Sequence, residues 1–358
     1  MKRILVTGVG GPTPRAFVRA VKWYGGETAN EFEFIGVDCN PYCSGLYDYT
    51  LFNKTFLIPP ASHKDYWKTI NKVIGENDID GAIVLPELEV LEWSKNHSNL
   101  TRKIALHLPD YKLAEKLYNK YTLHKSLEHS DYIPKYFLIN PAEYSYEEIT
   151  SKTGNTFWVR ATEGTSGLAS LKINSEKVLS EWFLINSHIK EFLASEYLPG
   201  RNLTCKLLFF NGRLLRTACA ERIQYVMSKS SPSGITGNTS FGKLINDQAL
   251  VDISQNAIEE IASGVNCLPH GMFTVDLKED SKGTPKITEI NIRHIAFTLV
   301  FAAAGANIPL DTLAALFFKN PEEMDLIHYE FTEKTIFFRD VDTYPVLMNE
   351  SEIKTILS

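Results

Sequence analysis

Short apolar runs alternate with helical stretches over the first 110 residues of the chain. KRILVTG, EFEFIGVD and DGAIVLP are predicted strands, and the polar and apolar spacing predicts helices over residues 14–24 and 64–76. Alternation of this kind is typical of a parallel α/β sheet. We therefore expect Gly8, Asp38 and Pro86 to lie at the carboxyl edge of that sheet, where open α/β sheets bind ligands.

The pattern changes after residue 110. A charged helical stretch over residues 111–129 contains Lys120 and leads into the strand IPKYFLI. FWVRA and LASLKI are predicted strands on either side of a glycine-containing turn, and a helix over residues 175–190 and the strand EFLASEYL follow. This β-rich segment, over about residues 135–195, is expected to form a lid.

Two hairpins and a pair of buried helices are predicted in the remainder. The Asn211-Gly212 pair in LLFFNGRLLRTA is a strong two-residue hairpin signal. A helix over residues 247–265 leads into a second hairpin, GMFTVDLKEDSKGTPKITEINIR. AFTLVFAAAGANIPLDTLAALFF has the composition of buried helices, and the C-terminal segment contains the strand KTIFFRDV and a final helix.

Composition narrows the class of protein. The chain has 358 residues, which predicts two or three domains, and its net charge of −6 gives no footprint for nucleic acid or an anionic membrane. No apolar run approaches about 20 residues and the N-terminus lacks a signal-peptide pattern, so a cytoplasmic location is expected. The five cysteines are dispersed without a CxxC spacing, which favours neither a disulfide framework nor a zinc site.

The second hairpin carries the candidate chemistry. Because side chains alternate on a strand, Glu289 and Asn291 share one face, and hairpin pairing can bring Asp276 beside them. Two carboxylates and an amide oxygen suit Mg²⁺, which takes a few carboxylates together with substrate phosphates. The alternative is that these residues form the solvent-facing side of an amphipathic hairpin, and the pattern alone does not separate the two.

GMFTVD…G.P.ITEINIR resembles the metal-binding strand pair of the ATP-grasp superfamily, especially the branch related to the carbamoyl-phosphate synthase large subunit. The resemblance covers nearly the whole chain and includes MKRILVTGVGG, YNKYTLHKSL and ASEYLPG in the expected order. It implies a Rossmann-like pre-ATP-grasp domain over residues 1–110 and a two-subdomain ATP-grasp domain over 111–325. Residues 326–358 would add a strand and a helix packed on the ATP-grasp core.

The resemblance also implies site residues. Asp276, Glu289 and Asn291 match Mg²⁺ (or Mn²⁺) ligands, and Arg293 would lie beside the transferred phosphate or the substrate carboxylate, so Asn291 and Arg293 are the implied catalytic pair. An arginine suits this position because its planar fork binds oxyanions bidentately. The implied ATP-phosphate contacts are Lys120, Arg160 and the loop Glu163, Gly164, Thr165, Ser166 and Gly167.

The segment EYLPG matches the hinge beside adenine. Glu196 and Tyr197 would present groups to the base edge, and Leu198 would pack on the ring. Asn202 departs from the pattern, because the family usually has an acid there for the ribose hydroxyls; asparagine can still bond a hydroxyl. A second departure, Ile292 and the HIAF that follows Arg293, indicates a remodelled substrate end.

Two side chains remain as substrate-side candidates. Arg222 could instead form a structural salt bridge, and His294 could instead be a packed histidine. Glu87 and Glu89 follow the third predicted strand, and the preferred interpretation places them on the surface of a helix.

A dinucleotide-binding reading of KRILVTGVGGPTP is the rival hypothesis, with Asp38 as the ribose acid. It predicts a nicotinamide oxidoreductase, but Thr13 occupies the third fingerprint position and Pro12 and Pro14 constrain the turn. In ATP-grasp proteins the corresponding domain is usually scaffold and one wall of the substrate cleft.

The resemblance implies an ADP-forming carboxylate–amine ligase that works through an acyl phosphate. The expected partners are ATP, a small carboxylate and an amine, with no nucleic acid or membrane partner, and a homodimer is possible within the family. The alternative within the family is phosphoryl transfer to a carboxylate or carbonate with another acceptor.

Overall fold

The computed structural model describes residues 1–164, 167–295, 297–318, 320–340, 346–349 and 351. Thr165 and Ser166 of the predicted phosphate loop lie outside the described residues, as does the predicted final helix. In the part that is described, no helix is long and apolar enough to cross a membrane.

The N-terminal part is built on a five-stranded sheet with strand order β3-β2-β1-β4-β5, and all of its strands run parallel. Its apolar strand residues are buried because helices cover the sheet, as parallel sheets require. The predicted parallel α/β sheet is confirmed. Its elements are β1 (Lys2–Thr7), α1 (Pro12–Tyr24), β2 (Phe32–Asp38), β3 (Lys54–Leu57), α2 (Tyr66–Glu76), β4 (Gly81–Ile83), α3 (Glu87–Asn96) and β5 (Ala105–Leu106).

Gly8, Asp38 and Pro86 lie at the carboxyl edge of this sheet, as expected. Gly8 has a φ of 65°, and a Cβ atom there would lie 2.2 Å from Cγ of Pro86. Both oxygens of Asp38 accept backbone N–H groups, from Gly10 and Asn40, each at 2.8 Å. Asp38 therefore ties two loops together, which disfavours its use as a ribose acid.

The predicted helix over residues 111–129 is wrong as a single element. The structure has α4 (Tyr111–Tyr118) and α5 (Lys120–Ser126), separated by Asn119 in an extended conformation. The Asn119 side chain accepts from the backbone N–H groups of Tyr121 and Thr122, so it caps the second helix. Lys120 consequently begins a helix instead of lying in the middle of one.

The predicted lid segment contains an antiparallel sheet with order β6-β9-β7-β8. The paired strands on either side of the glycine turn are confirmed, whereas the helix predicted to reach residue 190 ends at Ile185, where Asn186 is its C-cap. The elements are β6 (Tyr136–Ile139), α6 (Tyr146–Thr153), β7 (Phe157–Ala161), β8 (Leu171–Ile173), α7 (Glu176–Ile185) and β9 (Phe192–Glu196).

A larger sheet with order β14-β13-β10-β11-β12-β16-β17 forms the centre, with β15 paired to β11. Both predicted hairpins are confirmed, and the turn residues Asn211 and Gly212 have φ of 50° and 85°, as a type I′ turn requires. The elements are β10 (Asn202–Phe210), β11 (Arg213–Tyr225), β12 (Thr239–Ile245), α8 (Gln248–Gly264), β13 (Gly271–Glu279), β14 (Pro285–Asn291), α9 (Thr298–Ala303), α10 (Ile308–Phe317), β15 (Ile327–His328), β16 (Thr335–Phe338) and β17 (Val346–Asn349).

One apolar core joins the parallel sheet to the central sheet. It contains side chains of β1 and β2 together with those of α8, β10 and β13, such as Leu5, Val37, Ile258, Leu207 and Val275. The predicted buried helices α9 and α10 pack against α1. This shared core fixes the carboxyl edge of the parallel sheet relative to the β13–β14 hairpin.

Candidate active site

The β13–β14 hairpin brings its three polar residues together. Asp276 pairs directly with Glu289, and Thr274 pairs with Asn291. A bulge follows Asp276, and Asn291 donates from Nδ2 to Oδ2 of Asp276 at 3.4 Å. Burial raises the pKa of Asp276, Arg222 opposes that effect and Glu289 adds to it. The hairpin is therefore not a solvent-facing surface, and its acids are held close despite their like charge.

Arg222 on β11 supplies an internal counter-charge. Its Nη2 lies 2.5 Å from Oδ1 of Asp276, and both side chains are largely buried, at 11% and 17% exposure. Thr204 also donates to Oδ1 of Asp276 at 3.0 Å, while the guanidinium lies 5.3 Å from the centre of the Phe297 ring. Burial opposes the charge on Arg222, but Asp276 and Tyr225 keep its pKa above the ordinary value. The salt bridge considered from the sequence is thus formed with a candidate metal ligand.

Arg160 on β7 reaches the same hairpin from the lid. Its Nη2 donates to the backbone oxygen of Thr288 at 2.6 Å, and its Nε has no partner among the described residues. Burial lowers the pKa of Arg160, and the charges of Glu289 and Asp276 raise it. Arg160 is thus a buried guanidinium whose positive charge faces the two carboxylates of the hairpin.

Lys120 lies beside the glycine loop. It is 6% exposed, and its Nζ donates to the backbone oxygen of Gly164 at 2.7 Å. The cap residue Asn119 donates to Oε1 of Glu163 at 3.1 Å, so the start of α5 and the loop are joined twice. Gly164 and Gly167 have φ of 100° and 72°, a conformation that glycine adopts without strain.

Arg293 follows the hairpin and lines two large cavities, as well as a small one of about 20 Å³. One of about 250 Å³ is also lined by Asp276, Glu289, Asn291 and Arg222. The other, of about 630 Å³, lies at the carboxyl edge of the parallel sheet. Nη1 of Arg293 donates to the His294 backbone oxygen at 3.0 Å, and its Nε lacks a partner within the described ranges.

His294 is packed in the interior. It is 3% exposed, its ring meets Phe17 edge-on at 5.1 Å, and neither ring nitrogen has a partner among residues that the structure describes. Burial lowers its pKa well below the ordinary value, and the charge of Lys206 acts in the same direction. His294 is therefore neutral near pH 7, and it borders the small cavity of about 20 Å³.

The hinge residues occupy one strand end, and their side chains are partly engaged. Oε1 of Glu196 accepts from the backbone N–H of Lys135 at 3.1 Å. Tyr197 carries Lys172 over its ring at 4.0 Å, and Leu198 is buried. Asn202 donates to the hydroxyl of Tyr225 at 2.9 Å. Leu198 is thus the apolar residue of the hinge. Glu196 uses Oε1 for the bond from Lys135, and its Oε2 takes no part in that bond.

The preference for Glu87 and Glu89 as surface residues is wrong. They are 9% and 8% exposed at the start of α3. Burial raises the pKa of Glu87, which also interacts electrostatically with Arg293, Glu289 and Lys120. Their position directly after a strand, at the carboxyl edge of the sheet, could have indicated that they are buried. The polar sequence of α3 instead favoured a surface helix.

The donor set is small but suits a hard cation bound together with phosphate. In the described part of the chain, no cluster of three or more His, Cys, Asp or Glu could hold a metal ion. The hairpin instead offers two carboxylates and the amide of Asn291. Mg²⁺ is usually held by one or two carboxylates plus phosphate oxygens and waters, so the residues fit this ion.

Comparison with known proteins rests on structure, because no family model and no curated protein matches the sequence. Similar solved structures include L-amino acid ligase from Bacillus licheniformis (13% identity, TM-score 0.65, 94% of this chain and 79% of that one). N5-carboxyaminoimidazole synthetase from Staphylococcus aureus complexed with ADP is 15% identical, with a TM-score of 0.66 over 94% and 82% of the two chains. The biotin carboxylase domain of Hydrogenobacter thermophilus 2-oxoglutarate carboxylase, with MgADP and bicarbonate, is 13% identical, with a TM-score of 0.64 over 94% and 74%. These similarities show that the chain has the ATP-grasp fold.

Proposed function

We propose that the protein is an ATP-dependent, ADP-forming ligase that joins a carboxylate to an amine through an acyl phosphate. The observation that carries this proposal is the convergence of Asp276, Glu289 and Asn291 with Arg222 and Arg293 around one cavity. Arg160 interacts electrostatically with the same two carboxylates. Paired charges of both signs suit a phosphate-bound cation and the oxyanions of a transferred phosphoryl group. The ligases and carboxylases with the same fold support it.

Lys120 and Arg160 hold the phosphates of ATP in this proposal. The backbone N–H groups of Glu163, Gly164 and Gly167 in the adjoining loop would approach the same phosphates. Adenine lies beside Glu196, Tyr197 and Leu198, and Asn202 is placed to contact the ribose once it leaves Tyr225. The ADP and MgADP complexes of the related structures support this nucleotide class.

The first step transfers a phosphoryl group. A carboxylate oxygen of the substrate forms a bond to the γ-phosphorus of ATP as the bond from that phosphorus to the β,γ-bridging oxygen breaks and ADP leaves. Asp276, Glu289 and Asn291 would hold Mg²⁺, or Mn²⁺, which supplies charge neutralisation to the phosphates when bound. Arg293 orients the carboxylate and offsets the charge that accumulates on the transferred group.

The second step forms the amide. The neutral amine attacks the acyl carbon, the carbon–oxygen bond to phosphate breaks, and the nitrogen loses a proton while inorganic phosphate leaves. Closure of the lid excludes water from the acyl phosphate. We place Arg222 as a positioning residue for Asp276, and His294 as a packing residue behind Arg293. A carbamoyl-phosphate-synthase-like enzyme that passes the phosphoryl group to another acceptor is the alternative assignment.

The finer organisation follows the same proposal. A Rossmann-like unit over residues 1–110 would provide one wall of the substrate cleft, and residues 111–325 would form the ATP-grasp domain. The lid would span about residues 135–195, and residues 326–358 would pack on the core. A homodimer and a cytoplasmic location fit such an enzyme.

The test measures ADP release with a panel of carboxylates and amino acids, with hydroxylamine present to trap an acyl phosphate as a hydroxamate. Glu289→Gln is expected to lower kcat/KM by about 1,000-fold, because removing a group that stabilises developing charge costs two to three orders of magnitude. Glu260→Gln, at an exposed position of α8, is the matched control and should leave the rate unchanged. The proposal fails if no acid in the panel supports ADP release or hydroxamate formation, or if Glu289→Gln turns over as fast as the control.

A further inference from the structure

The second cavity next to Arg293 has a different chemical character. This sheet-edge cavity, of about 630 Å³, is lined by the carboxyl edge of the parallel sheet and the first turns of α1 and α3. Its volume lies within the range of small-molecule sites, roughly 300–1,000 Å³. Pro12, Thr13 and Arg293 line both this cavity and the one at the hairpin, so the two adjoin.

The charged lining of the sheet-edge cavity is mostly acidic. Asp38, Glu89 and Glu92 line it, and Arg293 is the one cationic side chain among its described lining residues. Two of the acids already have donors: Asp38 accepts backbone N–H groups, while Glu92 accepts from the indole of Trp67 at 2.7 Å. These two acids are satisfied without a ligand.

Glu89 is the exception. It is 8% exposed, and although Thr7 and Tyr66 hydrogen-bond to its carboxyl group, its Oε2 has no partner in the described structure. A buried carboxylate oxygen without a donor is destabilising, most of all when the group is charged. The groups that face Glu89 are Thr7 of β1, Tyr66 of α2 and Asp38 of β2, with Cys39 and Glu92 nearby. None of these supplies a positive charge.

We propose that the sheet-edge cavity binds a primary amine in its protonated form, with the ammonium group paired with the carboxylate of Glu89. The apolar lining, which includes Leu85 and Leu88, accommodates the carbon skeleton of the amine. Arg293 lies where this cavity adjoins the cavity at the hairpin. The inference rests on the proposed ligase function in one respect, namely that this amine is the co-substrate, which loses a proton after binding and attacks as the neutral amine. The binding site itself stands on the cavity, its charge and the unpartnered oxygen.

The charge of Glu89 changes near neutral pH, so amine binding at this site should depend on pH. Burial raises the pKa of Glu89 to about 7, hydrogen bonds from Thr7 and Tyr66 oppose this shift, and the charge of Asp38 adds to it. An alkylammonium group stays protonated up to about pH 10. Amine binding should therefore strengthen by about tenfold between pH 6 and pH 8, since the ionised fraction of Glu89 rises by about that factor.

The experiment is isothermal titration of the full chain without ATP. The probes are the standard L-amino acids, 1,4-diaminobutane and spermidine, with 1,4-butanediol and succinate as neutral and anionic comparators. At least one amine should bind the wild-type chain, about tenfold more tightly at pH 8 than at pH 6, and the comparators should not show this trend. Glu89→Gln should weaken that amine at least tenfold and remove the pH dependence. The control Glu76→Gln, whose carboxylate is exposed and whose ion pair with Lys72 spans 3.9 Å, should bind as wild type.

The inference is overturned if no amine binds, if succinate or butanediol binds equally well, or if the affinity does not rise with pH. The wild-type pH series decides the question even if Glu89→Gln fails to fold. Hydroxylamine trapping requires ATP and a carboxylate but not this amine. Hydroxamate formation without amine binding would therefore reject the sheet-edge site and leave the ligase proposal standing, and amine binding without hydroxamate would do the reverse.

Discussion

The acids on the two sides of Arg293 differ in the charges that face them. At the hairpin, Asp276 and Glu289 lie among guanidinium groups, and Asp276 touches Arg222 at 2.5 Å. At the sheet edge, the described groups that face Glu89 are neutral or acidic. The acids of the hairpin thus have positive partners within the chain, as the proposed site for a cation and phosphate would require. The sheet edge lacks a compensating charge near Glu89, which a cationic ligand would supply.

The difference also concerns stability. A buried ion pair gives little net stabilisation, but removing one partner leaves a buried charge unpaired. A buried acid without any counter-charge instead becomes neutral by raising its pKa. Asp276 illustrates the first situation and Glu89 the second, so the two regions should respond to substitution and pH in opposite ways.

Breaking the pair at the hairpin should give the largest effect on stability. Arg222→Met leaves Asp276 buried beside Glu289 without its counter-charge, and it should lower the free energy of unfolding by about 4 kcal/mol at pH 7. Urea unfolding followed by circular dichroism measures this. The double variant Arg222→Met/Asp276→Leu should recover most of the loss, because it removes the buried charge as well. If the single and double variants are equally unstable, the packing of Arg222 over Phe297 matters more than its charge.

The sheet edge should show a pH dependence of stability. The pKa of Glu89 is about 7 in the folded chain against an ordinary value of 4.5, so the folded state holds a proton that the unfolded state has lost. This contribution is fully present below about pH 4.5 and disappears as pH rises through 7, a loss of about 3 kcal/mol. Glu89→Gln carries no titrating group and should not suffer that loss.

The measurement is the free energy of unfolding at pH 5 and pH 8 for wild type, Glu89→Gln and Glu76→Gln. The difference between the two pH values should shrink in Glu89→Gln and remain unchanged in Glu76→Gln. If Glu89→Gln is less stable than wild type at pH 8, the ionised Glu89 carboxylate of the wild type must have favourable partners in the folded chain. The contrast with the hairpin would then disappear.

Local sequence patterns were sufficient to predict the two hairpins and the parallel sheet. Asn211-Gly212 fixes its turn through residues that tolerate positive φ, and the alternation around Glu289 and Asn291 sets which side chains share a face. The resemblance then supplied the order in which Lys120, Arg160 and the hairpin follow one another. The roles of these residues stay predictions, because the structure fixes their positions and not their chemistry.

Contacts between residues on different strands and helices could not be predicted from local sequence patterns. Arg222 and Asp276 meet because β10 lies between β11 and β13, and strand order depends on how the whole sheet assembles. Glu89 is buried because α3 packs against α2 and the sheet edge, although its sequence has the polar character of a surface helix. The break at Asn119 was hidden because asparagine is tolerated within helices as well as at caps.

Substitution of Asn119 should give the smallest effect, and it tests the phosphate-binding part of the proposed hairpin site. Asn119→Ala removes the cap of α5, which should cost about 1 kcal/mol, and also the bond to Glu163, which should raise the KM for ATP. Asn119→Ser keeps a capping oxygen but cannot donate to Glu163, so it should retain stability and share the higher KM. Urea unfolding and ADP-release kinetics separate the two effects. If the serine variant restores both stability and KM, the start of α5 alone positions Lys120 and the link to the glycine loop is dispensable.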